Sequence, residues 1–419
     1  SSCQDNAPPA TATPSDEAST LPTTSPLSTV TPPSNTLFIP LISEDSATPT
    51  PSPEATALLQ PTLTPTPAYP IYEGPTLNRN DIGVQVYLHR VDVPQLVEQL
   101  AELGVGWVKV QVSWKLYQPN PEQYSDERFG DLDQLVQVAQ ANSINLLLGV
   151  AKAPEWSRPI TEQDGPPRDN DLYRQFMQLL ALRYKGQVAA YELWNEPNLQ
   201  REWNGVPLDA AALVDLIRAG TEGVRAADPA ALIISGAPAV TGIDDGVVAI
   251  DDRRYFRAML TAGVAEVVDG FGVHPYGWAN PPDATMLNPD TAVPSHNNHP
   301  SFFFQDTLQD YGALLTEFNI TDKQLWVTEF GWGSFEQFEA APPAEAAFMV
   351  NVSEWQQAVY MQRALALASE WPQVGPMMLW NLNFAPWIGA AYSESGYSLL
   401  RPDGSPRPSY FALATIPKQ

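Results

Sequence analysis

From about residue 78 to the end of the chain, short apolar runs alternate with stretches whose apolar residues recur every three or four positions. The short runs are Ile82–Leu88, Trp107–Ser113, Asn145–Val150, Ala189–Trp194, Leu232–Ser235, Gly270–Val273, Leu325–Thr328 and Met377–Trp380. Runs of this length between polar segments predict buried strands. The stretches between them include Val93–Leu103, Leu132–Asn142, Asp171–Tyr184, Ala210–Ala227 and Trp355–Glu370, whose spacing predicts helices. Strand followed by helix, repeated, is the pattern of parallel crossovers, and eight such strands suffice to close a (β/α)8 TIM barrel. No glycine-rich turn follows the first run, so a dinucleotide-binding fold is not indicated.

Residues 1–77 differ in texture. Pro, Thr, Ser and Ala dominate, as in Thr48-Pro49-Thr50-Pro51-Ser52-Pro53, and the first 75 residues contain no Lys or Arg. Such a tract buries too little apolar surface to offset its ordering entropy, so an extended, polyproline-like stalk is expected, with O-glycosylation compatible with its composition. One interruption, Leu37–Ile42, is either a docking segment or an apolar patch within a linker. The division expected is therefore a low-complexity stalk or arm over 1–77 and a barrel over 78–419.

The lone cysteine, Cys3, excludes an intrachain disulfide and a thiolate metal cluster. With Ser1 and Ser2 before it and the polar tract after it, it resembles the end of a bacterial lipoprotein signal. That resemblance implies a lipid anchor at Cys3 and an extracellular or cell-surface location; a plain free thiol is the alternative. No run of some 18 apolar residues appears. An arm packed on a neighbouring subunit would instead make a homo-oligomer.

Charge narrows the partners. A formal net charge of −26 over 419 residues repels phosphate backbones and anionic membranes, so nucleic acid is not expected as a partner. A neutral carbohydrate tolerates such a surface. The 12 Trp residues suit stacking on sugar rings, although core packing also uses them.

In a parallel barrel the chemistry stands at the C-terminal ends of the strands, so polar residues closing an apolar run are informative. Two runs close on glutamate: the fourth in Trp194-Asn195-Glu196-Pro197-Asn198 and the seventh in Val327-Thr328-Glu329-Phe330-Gly331. These strings resemble the clan A glycoside hydrolases over roughly residues 80–413, nearest to the family 39 and family 5 neighbourhoods. The resemblance implies a retaining β-glycoside hydrolase with Glu329 as nucleophile, Glu196 as general acid/base and no cofactor. Retention requires carboxyls about 5 to 5.5 Å apart with separated protonation states.

The same resemblance assigns Asn195 to the sugar 2-hydroxyl, His274 to a hydroxyl or carboxylate, Tyr276 to Glu329, and Trp380 to the floor of the pocket. For His274 a packed core histidine is the alternative. Trp332 and Trp156 are further candidates for sugar contacts, with Trp114, Trp278 and Trp387 on the same expected face and core or loop anchoring as the other reading. One departure is Lys109, expected as a substrate contact where several clan families place Arg near the nucleophile; Lys supplies charge without a planar fork, and a barrel residue out of register with that Arg is the alternative.

Other chemistries find little footing. The four histidines show no metal-binding spacing and no Gly-x-Ser-x-Gly elbow occurs, so no metal site is expected. A long loop over residues 279–301 is expected to cover part of the active face. Residues 397–408 resemble the closing hairpin and last helix of such barrels. The competing reading is a cell-surface structural or carbohydrate-binding protein on a glycosidase-like barrel, assembling through its arm.

Overall fold

The computed structural model describes residues 67–419, apart from Arg90. The stalk up to residue 66, the anchor at Cys3, the Leu37–Ile42 segment and assembly through the arm lie outside the described residues. No helix among the described residues is long and apolar enough to cross a membrane.

Eight parallel strands close into a barrel in sequence order, β1 (Ile82–Val86), β2 (Trp107–Ser113), β3 (Asn145–Ala151), β4 (Ala190–Leu193), β5 (Leu232–Ser235), β6 (Gly270–Val273), β7 (Gln324–Phe330) and β8 (Val374–Leu379). Each is followed by an outer helix: α1 (Val93–Leu103), α2 (Asp126–Ala141), α3 (Asn170–Arg183), α4 (Ala210–Ala227), α5 (Asp252–Thr261), α6 (Phe304–Glu317), α7 (Glu354–Ser369) and α8 (Pro408–Ala414). The chain is thus the TIM barrel its apolar rhythm predicts.

The helix starts are written locally. Asp92, Ser125, Asp169, Asp209, Asp251 and Ser353 each accept a backbone N–H in the first turn of the helix that follows, satisfying a donor that has no partner within the helix. Ser125 also explains why α2 begins at Asp126 and not at the expected Leu132: a polar, capped first turn precedes the apolar stripe.

The barrel base is closed by both ends of the folded unit. The Leu77 N–H donates to the Pro417 carbonyl at 2.9 Å and the Gln419 N–H returns to the Leu77 carbonyl at 3.0 Å. Farther out, Tyr69 stacks on Phe411 and Gln362 donates to the Pro70 carbonyl. Folded structure therefore takes in residues from about Tyr69, ahead of the boundary expected at 78.

Inside the barrel, side chains stand in layers two residues apart along each strand. Trp107, Leu147, Ala190, Ile234, Trp326 and Met378 form an apolar floor, with Trp107 and Trp326 edge to face. One pleat toward the mouth, the same strands present Lys109, Gly149, Glu192 and Thr328. The glycines make room for this polar layer. A Cβ at Gly149 would lie 3.1 Å from Gln111 Oε1 and 3.2 Å from Glu192 Oε2, and one at Gly272 would lie 2.4 Å from the Ser235 carbonyl oxygen.

Candidate active site

Glu196 follows β4 by a sharp change of course. The backbone at Trp194 and Glu196 has positive φ, 82° and 43°, an uncommon region for non-glycine residues and most often found where surrounding structure enforces it. Trp194 turns outward to pack edge-on against Tyr173 and Trp203, while the Glu196 N–H donates to the Ala237 carbonyl. This fixes the carboxyl at the mouth.

Glu329 is aimed by a different device. Leu325, Val327 and Phe330 all pack in the outer apolar cluster, a sequence that strict alternation forbids. A register shift between Val327 and Phe330 in the β7–β8 ladder absorbs the extra residue, and such irregularities re-aim side chains beside active sites.

The two glutamates meet around His274. An oxygen of each carboxylate and a ring nitrogen of His274 lie within 4.8 Å of one another. His274 Nδ1 is 3.3 Å from Glu196 Oε1 and 3.7 Å from Glu329 Oε2. Tyr276 donates its hydroxyl to Glu329 Oε2 at 3.0 Å, and Lys109 donates to Glu329 Oε1 at 3.3 Å, so each oxygen of Glu329 has its own donor. Both carboxylates keep a solvent edge, with side chains 15% and 10% exposed. These three atoms are also the one group of described side chains spaced to converge on a cation; Lys109 and Arg201 already bring positive charge to the carboxylates.

Electrostatics follow from these contacts. Burial pushes the Glu196 carboxyl up, but the hydrogen bond and charge of His274, then Arg201 at 3.3 Å, outweigh it and hold the carboxyl below its usual range. Burial pushes His274 down, yet Glu329 and Glu196 together hold it above its ordinary value. Lys109 is likewise held above its usual value, because Glu192 and Glu329 outweigh its burial.

Lys109 stands elsewhere than expected. It is fully buried below the mouth, paired with Glu192 at 2.8 Å and donating to the Thr328 carbonyl at 3.1 Å, so it touches Glu329 and lies out of reach of a sugar. The pleat of β2 puts it in the same inward row as Trp107, which explains the placement. Its partner Glu192 escapes the sequence reading, although a charged residue inside an apolar run, in the same inward row as Ala190, is a visible signal.

Trp332 is corrected too: it is 2% exposed, packs against Phe304 and Tyr360, and spends its N–H on the Asn280 carbonyl. The chain turns into the core after β7, so this ring is unavailable to a ligand. Trp156 is half-buried, with its N–H on the Gln118 carbonyl and its ring edge-on to the buried Trp114, which makes it a loop anchor. Trp278 is capped by the ring of His296 at 4.4 Å, and Asn280 donates to the carbonyls of His296 and Phe302, so the long loop is anchored internally.

Trp380 is partly exposed beside Tyr276 and Tyr397. Asn195, also partly exposed, has a buried Oδ1 with no hydrogen-bond partner among the described residues. Arg201 lies in the turn after β4, where irregular backbone gives no periodic signal.

Beside Glu196, Glu202 is pushed up to about 7, chiefly by burial; nearby Lys152 opposes the shift and Glu196 adds to it. Raised above its ordinary 4.5, this carboxyl keeps in the folded state a proton that the unfolded chain releases. Its contribution to stability is complete below the ordinary value and lost as pH rises through about 7. Replacing it by Gln should therefore raise stability relative to wild type between pH 4 and pH 8, by on the order of 3 kcal/mol. Thermal melts of both proteins at the two pH values check this, and equal differences in Tm would contradict it.

Comparisons with known proteins agree with this fold. A search of curated proteins finds no match. Among solved structures, the fold is similar to a family 39 glycoside hydrolase from Bacteroides cellulosilyticus WH2, with TM-score 0.59 and 18% identity over 82% of this chain and 65% of that one. It is also similar to a glucosidase from Croceicoccus marinus, with TM-score 0.57 and 15% identity over 83% and 69% of the two chains. A third is a GH5_18 protein from Streptomyces cattleya in complex with Manb1-4GlcNAc, with TM-score 0.56 and 15% identity over 80% of each chain. The chain thus spans just under two thirds of the first of these structures. Residues 77–363 match the family Cellulase (glycosyl hydrolase family 5), more than half of the sequence and both glutamate motifs; the chain belongs to glycosyl hydrolase family 5.

Proposed function

We propose that the protein hydrolyses β-linked oligo- or polysaccharides with retention of configuration, Glu329 attacking the anomeric carbon and Glu196 protonating the departing oxygen. The observation that carries this is the closeness of the two carboxylates, with an oxygen of each within 4.8 Å of the other. Retaining pairs stand about 5 to 5.5 Å apart, whereas inverting pairs leave about 6.5 to 9.5 Å for a water.

The surrounding groups fit the steps. Lys109 and Tyr276 orient Glu329 through separate oxygens. Glu196 must deliver a proton, and one hydrogen bond away His274, raised above its ordinary value, can hold it. As the glycosidic oxygen takes the proton, the Glu329–carbon bond forms; water then displaces Glu329 with Glu196 as base. Asn195, with its unpartnered oxygen, would meet the 2-hydroxyl, and Trp380 would floor the sugar. Nothing among the described residues favours the non-catalytic alternative. An extracellular or cell-surface setting would give such an enzyme access to plant- or microbe-derived glycans.

The test is the anomer released first. Proton NMR of aryl β-glucoside, β-mannoside and β-xyloside hydrolysis should show the β sugar before mutarotation for whichever is cleaved. An α sugar appearing first would overturn the mechanism.

A further inference from the structure

Resting on that assignment of the two glutamates, we infer that Trp387, stacked on Tyr87, is a platform for sugar units on the glycone side of the cleaved bond, so that the enzyme prefers an extended glycone to a single sugar. Trp387 sits in a helical turn, Ala385–Ile388, after β8. One face of its ring lies on Tyr87, centroids 4.0 Å apart and planes within 14° of parallel, yet the residue is 50% exposed. A core aromatic is covered on both faces. An indole backed on one side and open on the other offers a flat apolar surface to the C–H face of a pyranose.

The platform is continuous with the catalytic pocket. Phe384 meets Trp387 at 5.9 Å and Trp380 at 5.7 Å, and Trp380 in turn meets Tyr276, the donor to Glu329. Phe384 is itself buried and braces both indoles, so the accessible faces a glycan can meet are those of Trp387 and Trp380. His89 lies edge-on to Tyr87, its Nδ1 3.6 Å from Glu127 Oε1 and 3.9 Å from Asp131 Oδ2, so polar side chains flank the platform.

Direction follows from topology. The platform joins the adjacent strands β8 and β1, while Glu196 stands after β4 on the far side of the ring. A leaving group protonated by Glu196 departs there, which leaves the glycone over Trp387.

The experiment compares kcat/KM for aryl β-glycosides carrying one or three units of the same sugar. Wild type should prefer the longer glycone, and Trp387→Ala should reduce that preference about tenfold, equivalent to about 1.4 kcal/mol, mainly through KM. Trp387→Phe should retain most of it. Trp355→Ala, on the outer helix α7, should keep the wild-type ratio. An unchanged ratio in Trp387→Ala overturns the inference. Should wild type cleave no aryl glycoside, the catalytic assignment fails and binding alone decides the platform. For that, Glu329→Ala with and without Trp387→Ala is titrated with cellotriose, mannotriose and xylotriose by tryptophan fluorescence. A signal lost with Trp387 supports the platform, and no Trp387-dependent signal with any of the three overturns it.

Discussion

Glu329→Ala should lower kcat/KM by on the order of 10⁵-fold or more, whatever the leaving group, because no other group among the described residues is placed to form the covalent bond. Glu196→Ala should behave differently. Its loss should depend on the leaving group, about 10² to 10⁴-fold for an alcohol that needs a proton and much less in the first step for dinitrophenol, which does not. Azide separates the two further. In Glu329→Ala it fits the space beneath the sugar, attacks once, and should yield the inverted glycosyl azide with partial recovery of rate. In Glu196→Ala it intercepts the glycosyl-enzyme and should give the retained product. Equal losses with every leaving group and no azide product from either variant would remove the double displacement.

Much of this barrel was legible because closure of a parallel sheet imposes a visible rhythm. All eight strands fall on the expected apolar runs, and Glu196 and Glu329 lie just beyond or at the ends of β4 and β7. Other features were not legible, for identifiable reasons. The inward turn of Glu329 depends on a register shift in β7 that leaves no mark in residue types. Lys109 is expected at the ligand because the clan resemblance places a cation on the second strand beside the nucleophile. Only the pleat shows it one layer below the mouth, where Glu192, distant in sequence, neutralises it. Trp332 and Trp387 both follow barrel strands, yet one is core and the other is half in water, since the path of a loop decides which way an indole faces.

Lys109→Met should be destabilising and nearly inactive, and the two effects should be separable. Removing the ammonium leaves Glu192, 1% exposed, as a buried charge without its partner, a situation that typically costs about 3 to 5 kcal/mol. Neutralising the partner as well, in Lys109→Met with Glu192→Gln, should recover most of the lost stability, because replacing both members of a buried pair with neutral groups is often close to neutral. Activity should not recover with it. Glu329 Oε1 still lacks the donor now 3.3 Å away, and loss of one charged hydrogen bond at a reacting group costs about 10² to 10³-fold. Denaturant unfolding and kcat/KM on the three proteins give the answer. Recovery of both stability and rate in the double variant would reduce Lys109 to a packing element, and unaltered stability in Lys109→Met would mean that Glu192 does not depend on it. Recovery of stability alone identifies Lys109 as the positioning group that aims Glu329, even though no substrate can reach it.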